Sequence, residues 1–151
     1  MSIDAEAIIN GFVSHAMSLG VFERVNQHEP KNSPDNGLTA AIWLDAISPA
    51  RRSGLASTTA RLEFNIRLYQ NMMREPQDSI DPLLIAAVDK LFTAYSGDFE
   101  LGGTVAYIDL LGITGTPLQG RAGYINVDGK LMRVFTISAP VVVNDAWPQV
   151  A

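Results

Sequence analysis

Cysteine is absent from this 151-residue chain. Its absence excludes a disulfide framework and thiolate chemistry. Histidine occurs only at His15 and His28, which leaves little for a metal site. A basic excess is missing too: 11 Lys and Arg face 16 Asp and Glu, a formal net charge of -5, with a pI near 4.8. A general nucleic-acid binder needs a basic face to displace counterions, so that class is disfavoured, while a local basic strip is still compatible. No apolar run approaches the length of a membrane span. The opening stretch, MSIDAEAIINGFVSHAM, has acids near its start and no basic region before an apolar core, unlike a signal peptide. These absences point to a protein made or assembled in a cytoplasm, with no membrane partner.

Apolar side chains are what the chain has in quantity. They make up 47% of the residues, and the mean hydropathy is slightly positive. That is high for a small soluble monomer and suggests apolar surface buried between chains. The length fits one domain, 1–151, with a real core.

The cleanest pattern is ARLEFNIRLY, residues 60–69. Leu62, Phe64, Ile66 and Leu68 alternate with Arg61, Glu63, Asn65, Arg67 and Tyr69. Period two predicts a half-buried strand, here Thr58 to Gln70. Arg61, Glu63 and Arg67 then share one face. Its partner is either water or a neighbouring subunit, and a mixed-sign strip suits an interface whose register is set by charge.

Around this strand the elements alternate. Ile3 to Leu19 reads as a helix with an apolar stripe of Ile8, Ile9, Phe12, Val13 and Ala16, capped by Ser2 and closed by Gly20. Val21 to Val25 is a short extended piece, and Asn26 to Gly37 an irregular connection. Leu38 to Ile47 reads as a strand. Ser48 to Ser57, SPARRSGLAS, reads as a basic loop at the tip of a long hairpin. Within it Arg51, Arg52, Ser53 and Gly54 form either a solvated tip or a contact with a partner.

A second helix starts at Asp81 as N-cap with Pro82 first, carries Leu84, Val88, Leu91, Phe92 and Tyr95, and stops at a left-handed Gly97. Three strands follow: Gly103 to Leu111, Arg121 to Val127 and Lys130 to Ser138, the last two joined by the tight turn Asp128-Gly129. Pro140 marks a break before a further strand at Val141 to Val143. The order α-β-β-α-β-β-β predicts an α+β fold, an antiparallel or mixed sheet with two main helices on one face.

Catalytic signals are weak. Gly102-Gly103 and GITGTPLQG, residues 112–120, lie beside strands rather than between a strand and a helix, so they read as turn glycines and not a phosphate loop. Ser14 and His15 are helical neighbours that point apart. His28 beside Glu29 reads as a solvated loop pair, Asp98 and Glu100 flank a turn, and Asp109 stands alone in a strand. None forms an acid/base constellation. The expectation is no catalytic, cofactor or metal residue, and no enzyme.

Two longer runs carry a resemblance. TTARLEFNIRLYQNMMREPQDSIDPLLIAAVDKLFTAYSGDFELGG and YIDLLGITGTPLQGRAGYINVDGKLMRVFTISAPVVVND together cover Thr58 to Asp145. They combine a charged strand ending in an Asn-Met-Met-X-Glu-Pro turn, a Ser-Gly-Asp-Phe segment after a helix, and an aromatic-rich hairpin turning at Asp-Gly before Val-Asn-Asp. This combination resembles tail terminator proteins of long, non-contractile-tailed phages of actinobacteria. The resemblance implies a virion protein at the tail–neck junction. Its hexameric ring would cap the tail tube protein, end polymerisation and join a head-completion or connector protein, and genomic DNA would pass the lumen without specific binding. Arg61, Glu63, Asn65, Arg67 and Tyr69 would then face a subunit interface or the lumen, and Arg51 to Gly54 a partner ring. The alternatives are another ring protein of the neck, or a small oligomeric ligand-binding α+β protein, which would need a pocket with converging polar groups.

Overall fold

The structure, a computed structural model, describes residues 3–30, 37–52 and 57–148, with side chains of 51–52 outside the description. Helix α1 spans Ala5–Ser18, β1 Arg24–Asn26, β2 Thr39–Arg52 and β3 Ser57–Asn71. Helix α2 spans Ile80–Gly97, and β4 Tyr107–Ile108, β5 Gln119–Val127 and β6 Lys130–Pro148 complete the chain. The fold is α+β. One mixed sheet of six strands runs β1-β2-β3-β6-β4, with β5 also on β6. β1 is parallel to β2, and the other pairings are antiparallel.

Both helices pack on one face of the sheet. Phe12 of α1 touches Phe64 of β3 with ring centroids 5.4 Å apart, and meets Tyr95 of α2 edge-on at 5.2 Å. Leu62, Phe64, Ile66 and Leu68 are fully buried with Ile42, Ile137, Ala139 and Val141 beside them. Each of these side chains except Ala139 contributes roughly 1.5–3 kcal/mol by leaving water. The Tyr95 hydroxyl donates to the Phe12 carbonyl at 3.2 Å, so this buried polar atom ties the helices together. Burial pushes the Tyr95 phenol well above its ordinary value, which keeps it neutral. A smaller cluster (Ala41, Tyr69, Met132 and Val134, with Trp43, Ile125 and Val127 against it) lies on the opposite face.

The α+β order matches the sequence reading once the short extended piece is counted as β1, and several boundaries do not. Asp4, not Ser2, caps α1, accepting from the Ala7 amide at 3.1 Å; Ser2 lies outside the described residues. The connection before β2 is described only in part, since 31–36 lie outside it. Ser48 to Arg52 is strand, not loop: Ser48 pairs with Arg61 and Arg52 with Thr58. β1 covers β2 only at residues 39–41, so the rest of β2 is an edge. An edge tolerates Pro49, and register shifts at Leu44/Ala46 and Pro49/Arg51 absorb the mismatch. Ser53 and Gly54 lie outside the described residues.

Helix α2 begins at Ile80 after Ser79, so Asp81 is inside the first turn and not the cap. Gly97 ends the helix without a left-handed conformation; Asp98 follows at φ -140°. The expected strand from Gly103 to Leu111 shrinks to Tyr107–Ile108, preceded by a 3-10 turn at Leu101–Gly103. Pro140 does not break β6. Its carbonyl accepts from the Asp109 amide, so its missing N–H points to the same side. On that side β5 pairs only up to Ser138 and β4 starts at Val141, so no strand partner needs that donor. The β5–β6 turn is as expected: Asp128 (φ 54°) and Gly129 (φ 79°) both take the left-handed conformations of a tight hairpin.

Candidate functional site

Strand alternation puts Arg61, Glu63, Asn65, Arg67 and Tyr69 on the sheet face opposite the helices. The register supplies their neighbours. Arg67 lies between Ala41 of β2 and Thr136 of β6, and Thr136 lies beside Arg121 of β5. The next row is Trp43, Asn65, Ser138 and Gln119. The face is therefore one surface built by four strands, but its five predicted residues do different things.

Arg61 has no guanidinium to offer a neighbour. It is 5% exposed and its donors are spent within the chain. It donates to Asp109 Oδ2 at 2.8 Å, to the Thr116 carbonyl at 2.6 Å, to Glu63 Oε1 at 3.2 Å and to the Thr114 hydroxyl. The segment 109–117 folds over it like a clasp. Asp109 is fully enclosed there. It also accepts from the Ile113 amide at 2.8 Å, the Thr114 amide at 2.9 Å and the Thr114 hydroxyl at 2.6 Å. Gly112 takes φ +77°, and a Cβ on Gly115 would fall 2.9 Å from Arg61 Cζ, so the clasp needs glycine at both places. The sequence reading of these as turn glycines holds, but the turn has a job. It lifts Leu111 and Ile113 into solvent, 86% and 79% exposed.

Both carboxylates of the clasp are held below their ordinary range. For Asp109, burial alone pushes the carboxyl up, but hydrogen bonds from Thr114, Ile113 and Arg61 outweigh it. For Glu63 the Thr116 hydroxyl leads, against desolvation, with Arg61 adding to the lowering. A lowered folded value contributes stability above the unfolded value, about pH 4, that is lost as pH falls through the folded value. Urea unfolding from pH 7 to pH 3 is therefore expected to show stability falling as the solution drops below about pH 4. Asp109→Asn is expected to be less stable at pH 7 and to have a flatter acid limb. An equally steep limb in that variant would assign the acid loss to Glu63, Asp81 and Asp98, which are lowered as well.

Arg67 is different. Its Nε donates to the Thr136 hydroxyl at 2.9 Å, and its Cζ lies 5.3 Å from the Trp43 ring centroid. Glu63, expected to share a strip with it, is turned to Arg61 and Thr116 instead. Tyr69 is 1% exposed and belongs to the small apolar cluster, while Asn65 and Glu63 are half-buried. Of the basic hairpin tip, Arg51 and Arg52 are fixed by their backbones in β2.

Two further polar pairs, one of them an ion pair, were not legible in the sequence. Arg133 of β6 reaches Asp81 at 2.9 Å and lies over the Tyr124 ring at 4.4 Å. They join the start of α2 to the hairpin. His15 Nε2 lies 2.8 Å from Asp98 Oδ2, and Asp98 Oδ1 accepts the Gly102 amide at 3.0 Å. These hold α1 to the corner after α2. No hydroxyl is hydrogen-bonded to the His15 ring among the described residues. Nor do three His, Cys, Asp or Glu side chains gather as a metal site there. No helix among the described residues is long and apolar enough to cross a membrane. The residues that sequence reasoning missed are Asp109, Thr114 and Thr116, which hold Arg61, and Arg121, which lines up with Arg67. The missing signals were strand register for Arg121 and the path of the 109–117 loop for the others, since none of these pairs is close in sequence. What the face can do chemically is make contacts: it offers guanidiniums, an indole, hydroxyls and amides, and beside it two apolar side chains on a braced loop. No protein-family model matches this chain, and no curated protein matches it.

Proposed function

We propose that the chain is a tail terminator, a structural subunit whose ring caps a tail tube and offers the other side of the ring to the neck. The observation that supports this best is the braced apolar tip. A buried Arg61–Asp109 pair holds Leu111 and Ile113 out in solvent, at a cost in exposed apolar surface that a free monomer has no use for. A tube of identical rings has no natural end, so a terminator needs one surface that fits the tube and another that does not. The helix-free sheet face and the apolar tip are two chemically different contact surfaces on one subunit. The resemblance over Thr58 to Asp145 supports the same reading.

Gold-labelled antibody electron microscopy on purified particles tests the placement, and a tube-binding assay tests the role. Label at the tail–capsid junction together with tube binding supports the proposal. Label there without tube binding favours another ring of the neck, and a protein abundant in lysate but absent from particles overturns both. Leu111→Asp with Ile113→Asp is expected to leave the melting temperature nearly unchanged, because both residues are exposed. Tube binding by that variant is expected to fall at least tenfold. Unchanged tube binding would remove the tip from the contact.

A further inference from the structure

Of the four arginines on β3, β5 and β6, two have carboxylate partners among the described residues and two do not. Arg61 and Arg133 form ion pairs with Asp109 and Asp81. Arg67 and Arg121 form none among the described residues. They are not scattered. Arg67, Thr136 and Arg121 stand side by side on β3, β6 and β5 on the helix-free face. The outer backbones are thus two strand spacings, roughly 10 Å, apart. An open trough of about 250 Å³ runs between them, lined by Arg67, Arg121, Tyr124, Ile125, Val134 and Thr136 among others. No carboxylate occupies this row or the next, which holds Trp43, Asn65, Ser138 and Gln119. In a chain of net charge -5 this is a local cationic, donor-rich strip.

Nucleic acid is the less fitting occupant, because a polyanion approaching the strip is repelled by the rest of the molecule. A second copy of the same acidic chain is the better one. The strip cannot meet itself, since like charges would face each other. It needs an acidic region elsewhere on the subunit. At the opposite edge of the sheet, Glu23 and Glu29 flank β1, are exposed, and form no ion pair among the described residues. Arg24 begins β1 between them, and Glu29 is near enough to the helix-free face to add to the rise that burial gives the Tyr69 phenol there. β5 stands at the strip's own edge, with β6 its sole strand partner among the described residues.

We propose that the Arg67–Thr136–Arg121 strip is a carboxylate-binding surface that receives Glu23 and Glu29 of a second copy, head to tail. Guanidiniums bind carboxylates through paired, charge-assisted hydrogen bonds, and the Thr136 hydroxyl, already tied to Arg67, fixes their spacing. A contact between different patches is heterologous, and it closes into a ring when the rotation permits. The inference deepens the ring reading and rests on it for closure of the cycle; the joint itself stands on the strip.

Sedimentation velocity on the full chain tests it, over a concentration series at low and high salt. Wild type is expected to self-associate, less so at high salt. Arg121→Glu changes an exposed residue, so its circular dichroism should match wild type while its association weakens about tenfold or more. Glu23→Lys with Glu29→Lys is expected to weaken it similarly, and combining all three changes to restore it. Wild type monomeric at every concentration, association indifferent to Arg121→Glu, or a combined variant that stays weak overturns the joint. Loss of heparin retention in Arg121→Glu with association unchanged assigns the strip to a polyanion and also overturns it. Particle labelling separates this from the functional reading. Label at the tail–capsid junction with association indifferent to Arg121→Glu sinks the joint alone. Restored association with no label on particles sinks the terminator reading alone.

Discussion

Replacing Arg61 by alanine is expected to cost about 3–5 kcal/mol, because the change leaves Asp109 charged, enclosed and without its cation. The Arg61 side chain is 6% exposed and that of Asp109 0%, so solvent does little to screen the loss. Three other hydrogen bonds to Asp109 remain, from Ile113 and Thr114, and they do not neutralise it. For a domain of this size about 2–4 °C of melting temperature accompanies each kcal/mol, so the fall should be on the order of 10 °C. Limited proteolysis should cut within 110–118 in the variant well before wild type, since the clasp loses the guanidinium it closes on. Pairing Arg61→Met with Asp109→Leu should cost clearly less than the two single changes added together. Additive costs, or a clasp as resistant to protease as wild type, would mean that the ion pair does not brace the tip.

Phe64→Ala should be about as damaging, at about 3–5 kcal/mol, for an unrelated reason. Phe64 is fully buried, sits against Phe12 and lies at the centre of the strand with the most partners in the core. The cost comes from lost transfer energy and the cavity left behind. It should not depend on pH between 7 and 4, whereas the Arg61 effect should shrink as Asp109 takes up a proton in acid. Urea unfolding of both variants across that range and below it separates the two mechanisms. A pH-dependent Phe64→Ala cost would show that the cavity disturbs the clasp as well.

Both predictions point to how the chain divides its information. Alternation in residues 60–69 placed Leu62, Phe64, Ile66 and Leu68 toward the helices, and the amphipathic stripes of α1 and α2 supplied what covers them. The Asp128-Gly129 turn was legible because its dihedrals demand such residues. These are local signals, carried by spacing within one element, and local signals survive in a sequence read alone. Boundaries failed where a neighbour decided them. Ser48 to Arg52 looks like a loop by composition, but β3 offers it a pairing partner and an edge forgives Pro49. Pro140 looks like a break, but it lies where β5 has ended and β4 has not begun, so its absent donor is not missed.

The same division runs through the candidate site. By itself the sequence determined which side chains share the helix-free face, because a strand's period fixes that without reference to anything else. Only the tertiary structure decided which of them are free. Arg61 and Arg67 are six residues apart on one strand and look alike in the sequence. One is sealed under a loop that begins 48 residues later, and the other lies half-buried over Trp43, bonded to Thr136 in the row that also holds Arg121. The physical reason is that a charge is tamed by whatever lies within a few ångströms of it, and those neighbours are set not by chain order but by the fold, a returning loop for Arg61 and strand register for Arg67.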